Sequence, residues 1–347
     1  MKSYSIAPIT GLLKARFKVI NAILGESFTP DGGVDIFIDL NTIVSALSSS
    51  QKFQNSLPFA EDVEQDIISS ILMIIKHWKD YSKKWEDVRI FMFVNDFNIV
   101  PLPERNIINS YLVPMINKYQ NDRFKQFVYY WNESIKRVEI ILKYVPNSYI
   151  INCKTFDSYV IPNIIDDYSN NKRKRIIISG NPLLTNYHYM KDTYIIYTRY
   201  KHDGMCQVSD PITIVQSMTK VEDEIISTFT KNKVFYNILN AIVGDFNRGL
   251  IGLTQLGITK FATTLLRAVE KREIPENPMS IESVLPVIDT NYHDYLKKTY
   301  PLIDIETHSS LIPKSTIEKT KASMIDLYDI DGLRSLSING LNLLELL

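Results

Sequence analysis

Four short apolar stretches, each followed by a polar residue or a turn, constrain the fold of this chain most strongly. They are VDIFIDL at 34–40, VRIFMFVND at 88–96, SYIINC at 148–153 and KRKRIIISGN at 172–181. Short runs of consecutive apolar residues are typical of strands that are buried on both faces. Segments with helical periodicity separate them, which predicts an α/β fold with a mainly parallel central sheet flanked by helices.

The segments between and after these strands predict the other elements. Residues 61–81 and 129–145 have the apolar spacing of helices, and the first carries acids in its first turn, as the helix dipole favours. Residues 192–211 alternate and predict a strand pair, or a strand and a turn. From 221 onward the pattern is helical, with a glycine-rich interruption at 244–257. Near the end, YPLIDIE at 300–306 predicts an extended piece, followed by helices.

Polar residues stand where three of the predicted strands end. Asp39 and Asp96 close the first two strands, and Asn181 follows the fourth. Ligands of parallel α/β sheets bind at the carboxyl ends of the strands. We therefore expect these three residues, which are far apart in sequence, to converge.

Composition narrows the classes of function. The chain has 347 residues, 45% hydrophobic and 22% charged, as in soluble globular proteins, and no apolar run long enough for a membrane helix. Its 39 basic and 39 acidic residues balance, so any nucleic-acid binding needs local basic patches. The only cysteines, Cys153 and Cys206, exclude a disulfide framework and favour a reducing compartment. We expect no membrane partner.

The order and spacing of these landmarks resemble the phage and bacterial 5′-nuclease superfamily (flap endonucleases, PIN-like fold), and most closely the T-even-phage RNase H type. The matching segments are IDLNTIVSAL at 38–47, FVNDFNIVPLPER at 93–105, Asp157-Ser158-Tyr159-Val160 and IIISGNPLL at 176–184. The family's helix–turn–helix DNA clamp corresponds to GDFNRGLIGLTQLGITKFA at 244–262, which keeps Gly244, Asp245, Gly252, Gly257, Lys260 and Ala262. YLKKTYPLIDIETHSSLIP at 295–313 is similar to the family's C-terminal region, so the resemblance covers roughly residues 34–320.

The resemblance implies a division of the chain. Residues 1–33 would be an N-terminal extension, and 34–220 a PIN-like nuclease-fold domain with an arch-like insertion at about 97–145. Residues 221–347 would form a C-terminal helical, clamp-like region.

The resemblance also implies a metal site, but much of its carboxylate set is missing. Asp39, Asp96, Asp157 and Asp245 are kept, and the first three are the candidate metal ligands. Positions that are acidic in the family hold Tyr159, Val160, Asn181, Leu183 and Arg248. Valine and leucine cannot ligate a cation, and arginine repels one. Asp166 and Asp167 also resemble the paired acids, but they come six residues too late for the family spacing.

Candidate nucleic-acid contacts come from two regions. In the arch-like insertion they are Arg105, Lys118, Arg123 and Lys125, interleaved with Tyr111, Tyr119 and Tyr130. Charge and stacking there could hold a single strand, although a core-packed helix explains the pattern equally well. In the clamp they are Gly252, Gly257 and Lys260, whereas the basic run 172–175 is more typical of a solvated loop.

Three hypotheses follow. The first is a catalytically degenerate 5′-nuclease-fold protein that binds DNA, RNA·DNA or other phage proteins and has no cofactor. The second is an active 5′-nuclease with a reduced Mg²⁺ or Mn²⁺ site formed by Asp39, Asp96, Asp157 and Asp245, with Asn181 beside them. The third is a structural or assembly component of a phage particle. The resemblance places the protein in the cytoplasm of a bacterial host, in phage replication, or in the virion.

Overall fold

The structure, a computed structural model, describes part of the chain. The described residues are 32–40, 60–83, 85–95, 122–153, 172–179, 192–200, 206–209, 232–245, 250–251, 253, 258–304, 317–319, 337–338 and 341–342. None of the helices in these ranges is long and apolar enough to span a membrane.

Five parallel strands form the centre of a seven-stranded sheet. They are β1 (Val34–Asp39), β2 (Val88–Asn95), β3 (Ser148–Cys153), β4 (Lys174–Ser179) and β5 (Thr193–Tyr200). Consecutive isoleucine, valine and phenylalanine residues favour such strands because β-branched and aromatic side chains pack well on a pleated surface. The predicted α/β fold with a mainly parallel sheet is confirmed, and it is consistent with the architecture that the 5′-nuclease resemblance implies.

Antiparallel strands close both edges of this sheet. β6 (Cys206–Ser209) pairs with β5, so the strand pair predicted at 192–211 is confirmed. At the other edge β9 (Ile317–Lys319) pairs with β3. The full order is β6-β5-β4-β1-β2-β3-β9.

The strand order reverses beside the central strand β1. The chain runs from β1 through β2 to β3 on one side, and then returns to place β4 and β5 on the other side. At such a switch point, the connections that follow two neighbouring parallel strands run in opposite directions. Open α/β sheets bind their ligands in the crevice that this leaves at the carboxyl ends of the strands. In this protein the switch point lies between β1 and β4.

Within the described residues, two helices cover one face of the sheet. α1 (Ala60–Ser82) and α2 (Asp122–Leu142) confirm the helices predicted at 61–81 and 129–145. Their apolar sides share one buried cluster with residues such as Ile36 of β1 and Met92 of β2. The Arg137 side chain of α2 also reaches Glu64 of α1 at 2.9 Å.

The later helices cover the opposite face. They are α3 (Lys233–Val243), α4 (Ile258–Glu270), three 3-10 helices (Ile281–Ser283, Leu285–Val287 and Thr290–Tyr292) and α5 (His293–Ile303). Phe37, Phe91 and Tyr149 stack on this face across β1, β2 and β3, with ring centroids 5.1 Å apart in each pair. Leu239, Leu265 and Leu296 belong to the same core as Phe37 and Phe91. Residues from both predicted regions, 34–220 and 221–347, therefore pack into one core.

The prediction of an extended segment at 300–306 is wrong for its first four residues. Tyr300–Ile303 forms the last turn of α5, with Pro301 inside the helix. Helical spacing places Leu296, Tyr300 and Ile303 on one side, where all three are buried in the core. Helices predicted beyond this point are also wrong where the structure describes the chain: Ile317–Lys319 is β9, and β10 (Ser337–Ile338) pairs with β11 (Leu341–Asn342).

A buried ion network closes the amino end of the sheet. Arg89 holds both carboxylate oxygens of Asp35 at 2.7 Å, and the Arg173 Nε donates to the same carboxylate at 2.8 Å. Arg173 also pairs with Asp87 and donates to the Val34 carbonyl. Burial lowers the pKa of the Arg173 guanidinium, but its bonds to Asp87 and Asp35 outweigh this effect and raise the pKa above its ordinary value. Within the basic run at 172–175, Arg173 thus serves the fold.

Candidate functional site

Asp39 lies at the switch point, as the last residue of the central strand β1. Its side chain is 3% exposed. The hydroxyl of Ser179, the last residue of β4, donates a hydrogen bond to Asp39 Oδ2. The ends of the two strands are therefore joined through their side chains at the position where this class of sheet binds ligands.

The alternation of β1 explains why Asp39 faces this side. Residues two apart on a strand share a face. Ile36 and Ile38 pack in the core beneath α1 and α2, whereas Phe37 packs in the core that includes α3, α4 and α5. Asp39 therefore shares the Phe37 face, the one covered by the later helices.

The other two residues predicted at strand ends, Asp96 and Asn181, come just after β2 and β4 in the chain. β2 ends at Asn95, one residue before Asp96, and β4 ends two residues before Asn181. Because β2, β1 and β4 are neighbours, their carboxyl ends are adjacent. Asp96, Asn181 and Asp157 themselves lie outside the described residues, so their convergence with Asp39 stays a prediction.

The predicted clamp segment connects two helices. α3 ends at Val243 and α4 begins at Ile258, which confirms the predicted interruption at 244–257. Inside it, β7 (Gly244–Asp245) pairs with β8 (Leu250–Ile251), and the Leu253 N–H donates to the Ile242 carbonyl at 2.9 Å. For Asp245, the structure describes the backbone and not the side chain. Gly252, Gly257 and Arg248 lie outside the described residues.

Lys260 is exposed on α4 and belongs to a basic stripe along that helix. We define the α4 stripe as Lys260, Thr264, Arg267 and Lys271, all of which are exposed. Their spacing of four, three and four residues keeps them on one side of a helix, and the Lys271 N–H continues the helical hydrogen bonding to the Arg267 carbonyl at 3.0 Å. Three basic side chains are therefore exposed on one side of this helix. Of these, the resemblance to the clamp motif predicted Lys260 alone.

The segment 97–145, predicted as an arch-like insertion, includes a helix of the core. Arg123 and Lys125 lie in the first turn of α2, where the structure describes their backbone. Tyr130 is buried, and its hydroxyl accepts a hydrogen bond from Gln126 at 3.1 Å, so the core-packed alternative is correct for this residue. The neighbouring Tyr129 is 62% exposed. Arg105, Lys118, Tyr111 and Tyr119 lie outside the described residues.

The described residues alone do not complete a site for two divalent ions. Mg²⁺ and Mn²⁺ prefer several oxygen ligands, mainly carboxylates and water. Asp39 offers one carboxylate, and Ser179 already donates to one of its oxygens. Across the part of the chain that the structure describes, no group of three or more His, Cys, Asp and Glu side chains is placed to hold a metal ion.

Ser179 is the site residue that sequence reasoning left without a role. It stands in the Ser-Gly pair of IIISGNPLL, the segment that resembles the family's strand end. The signal was available in the pattern: Ser179 is the polar residue that ends an otherwise apolar strand, and strand ends were where ligands were expected. What the sequence could not supply was the pairing of β4 with β1, which brings Ser179 beside Asp39.

Comparisons with known proteins found a likeness to solved structures. No family model matches the chain, and no curated protein sequence matches it. Among solved structures, the T5 D15 protein co-crystallized with metal ions is similar at 13% identity and a TM-score of 0.48, over 80% of this chain and 91% of that one.

Proposed function

We propose that this protein is a 5′-nuclease-fold module that binds nucleic acid and lacks the two-metal chemistry of a complete 5′-nuclease. The observation that carries this proposal is the pairing of β1 with β4 at the switch point. Asp39 brings an acid to that point, whereas β4 ends in Ser179 and continues into Asn181 and Leu183, where the family has acids.

The reaction needs the acids that are missing. In two-ion hydrolysis of a phosphodiester, the cations generate the attacking hydroxide and neutralise the charge on the leaving oxygen. Several carboxylates must hold the two ions, because each ion needs multiple oxygen ligands. At three of these positions, an amide removes the negative charge, an aliphatic side chain removes both charge and ligand atoms, and a guanidinium adds a positive charge that repels the cation.

The α4 stripe supports nucleic-acid binding. Phosphate contacts provide most of the non-specific affinity of proteins for nucleic acid, and they come mainly from lysine and arginine. A chain of balanced charge needs such a local cluster. Lys260, Arg267 and Lys271 provide one on the helix that directly follows the predicted clamp segment.

Cleavage assays test the catalytic half of the proposal. The purified chain is incubated with 5′-flap DNA and with RNA·DNA hybrid in Mg²⁺ and in Mn²⁺, beside an Asp39→Ala variant. We expect the two proteins to release product at the same background rate. Cleavage by the native chain that Asp39→Ala abolishes would overturn the proposal.

Binding assays test the other half. Fluorescence anisotropy with labelled duplex and single-stranded DNA is measured at several salt concentrations, for the native chain and for Lys260→Ala/Arg267→Ala/Lys271→Ala. Each lost phosphate contact should reduce the slope of log K against log salt by about 0.9 for duplex. Lys298→Ala on α5 is the matched control, because Lys298 is an exposed lysine paired with Asp294 at 2.7 Å. An absence of binding at low salt would instead favour an assembly component.

A reduced one-ion nuclease is the second candidate, and the position of Asp39 favours it. An acid at the switch point, beside the strand that leads into Asp96, is where a single ion would be held. Isothermal titration with Mn²⁺ distinguishes the two candidates. Binding that disappears in both Asp39→Asn and Asp96→Asn, together with cleavage, would establish this alternative. Heat signals that are identical in all three proteins would exclude it.

A further inference from the structure

Helix α4 ends in a hydrogen-bonded cap that fixes the chain beside a surface cleft. The Glu273 N–H donates to the Ala268 carbonyl at 2.8 Å, and the Arg272 N–H donates to the Val269 carbonyl at 2.9 Å. These are the two bonds of a Schellman motif, whose left-handed position usually holds glycine and here holds Arg272, with a φ of 61°. The backbone therefore sets where the residues after the helix lie.

The cleft at this helix end is negatively charged and has apolar walls. Its volume of about 370 Å³ is within the range of roughly 300–1,000 Å³ that binding sites span. Val269, Ile274 and Pro275 form its apolar lining. Three carboxylates outnumber one guanidinium in its charged lining, and the carboxyl end of α4 adds the negative end of the helix dipole. These charged residues, all exposed, are Glu270, Glu273, Glu276 and Arg272.

Met279 is an apolar side chain that the next segment presents to solvent. It is 92% exposed and follows the last of these glutamates by three residues, so their Cα atoms are within about 11 Å. Its neighbours in the chain are anchored: Asn232 Nδ2 donates to the Pro278 carbonyl at 3.2 Å, and Ser283 Oγ donates to the Ser280 carbonyl at 2.7 Å. A single exposed apolar residue is ordinary on a protein surface, but this one is held close to a cleft with apolar walls.

We propose that this region binds a protein partner through a short basic segment that carries at least one apolar side chain. Lysine or arginine of the partner faces the glutamates, and its apolar residue packs on Met279 and the wall of the cleft. Complementary charge gives such a contact its specificity, and methionine is enriched in the cores of protein interfaces. We define the α4-end surface as Val269, Glu270, Glu273, Pro275, Glu276 and Met279.

Charge distinguishes this partner from nucleic acid and from a second copy of the chain. Carboxylates repel phosphates, so nucleic acid is expected on the α4 stripe, whose nearest member, Lys271, does not line the cleft. A second copy could offer its own α4 stripe as a basic surface. That stripe contains no apolar side chain to pack on Met279.

Selection from a library of random peptides displayed on phage tests the α4-end surface. We expect the peptides that the native chain enriches to combine lysine or arginine with an apolar residue. Their affinity, measured by fluorescence anisotropy, should fall about tenfold or more in Glu270→Gln/Glu273→Gln/Glu276→Gln and in Met279→Ala, as when an anchor residue of an interface is removed. The affinity of the triple variant for DNA should stay the same or rise, because the α4 stripe is intact.

Matched controls change the same residue types elsewhere on the surface. Glu86→Gln and Ile140→Ala alter an exposed glutamate and an exposed isoleucine, and both should bind the peptides as the native chain does. Enriched peptides without basic residues, or with equal affinity for the triple variant, would overturn the proposal, as would a library that yields no binder. Dimerisation of the native chain that the triple variant abolishes in analytical ultracentrifugation would assign the surface to a second copy and would also overturn it.

Discussion

Asp35 is a carboxylate with no exposed surface, and two arginine side chains depend on it. Asp35→Asn should lower the free energy of unfolding by about 3–5 kcal/mol, because it removes the buried carboxylate that Arg89 and Arg173 share. Asp294→Asn, in an exposed pair with Lys298, should change it by about 0–1 kcal/mol. Urea unfolding measures both. Equal losses of unfolding free energy in the two variants would contradict a stabilising role of the ion network around Asp35.

Sequence reasoning could not find that network. The run VDIFIDL predicts an apolar strand closed by Asp39, and the structure confirms the strand. Asp35 stood inside the run without an assigned role, because its partners Arg89 and Arg173 are 54 and 138 residues away. Pairing between strands brings them together, and a pattern along the chain carries no information about which strands pair.

Ser179 should stabilise the candidate site. Ser179→Ala removes a donor from a buried carboxylate and should lower the free energy of unfolding by about 1–3 kcal/mol. Ser148→Ala is the matched control, since Ser148 is equally buried, lies at the amino end of β3 and donates to the main-chain carbonyl of Pro146 at 3.4 Å. Guanidinium unfolding measures the stability of both variants, and an unchanged m-value shows that a shift of the midpoint is a change in stability. A larger loss for Ser148→Ala would remove the role given to Ser179.

Lys79 of α1 should make stability depend on alkaline pH. Burial lowers its pKa from 10.5 to about 8. Between these values the unfolded chain binds this proton more fully than the folded one, so the contribution of Lys79 to the free energy of unfolding rises with pH. Below about pH 8 both states are protonated and the cost of the buried charge is complete.

The test compares the free energies of unfolding of the native chain and of a Lys79 variant across a range of pH. Urea unfolding between pH 7.5 and 9.5 should show the native chain gaining stability relative to Lys79→Met as pH rises. Lys83→Met, which changes a lysine with 76% of its side chain exposed, should run parallel to the native chain. A constant difference between the native chain and Lys79→Met would contradict the lowered pKa.

At the scale of the element, burial on the helices decides the cost of a substitution. Ile71 of α1 has no exposed surface, whereas Ile140 of α2 is 56% exposed. Ile71→Ala should cost about 2–5 kcal/mol through lost transfer energy and a cavity. Ile140→Ala, the same chemical change, should stay within about 0.5 kcal/mol. Thermal unfolding of both variants would contradict this packing if their midpoints fell by the same amount.

The elements that were predictable have strong local patterns. Consecutive apolar residues predicted β1 to β4, and glycine spacing predicted where α3 ends and α4 begins. YPLIDIE failed because its apolar residues fit a short strand as well as a helix end. Only the core beneath Leu296, Tyr300 and Ile303 favours the helix, and that core is made by residues distant in sequence.

At the scale of the molecule, tryptophan fluorescence can test whether the two faces unfold together. All three tryptophans, Trp78, Trp85 and Trp131, lie in the core beneath α1 and α2. Leu265 lies in the opposite core. Leu265→Ala should cost about 2–5 kcal/mol and shift the tryptophan transition and the far-ultraviolet circular dichroism transition equally. An unshifted tryptophan transition would show that residues 221–347 unfold as a separate unit.

The two edge strands have a consequence for synthesis of the chain. β3 is made early, but β9, which covers its open edge, and the helices that cover the Phe37 face are made much later. A ribosome adds roughly 5–20 residues per second, so the nascent sheet spends seconds with an unpaired edge and one bare apolar face. Unpaired edges of this kind recruit other strands. Chaperones that hold nascent chains should therefore determine how much of this protein reaches its native state.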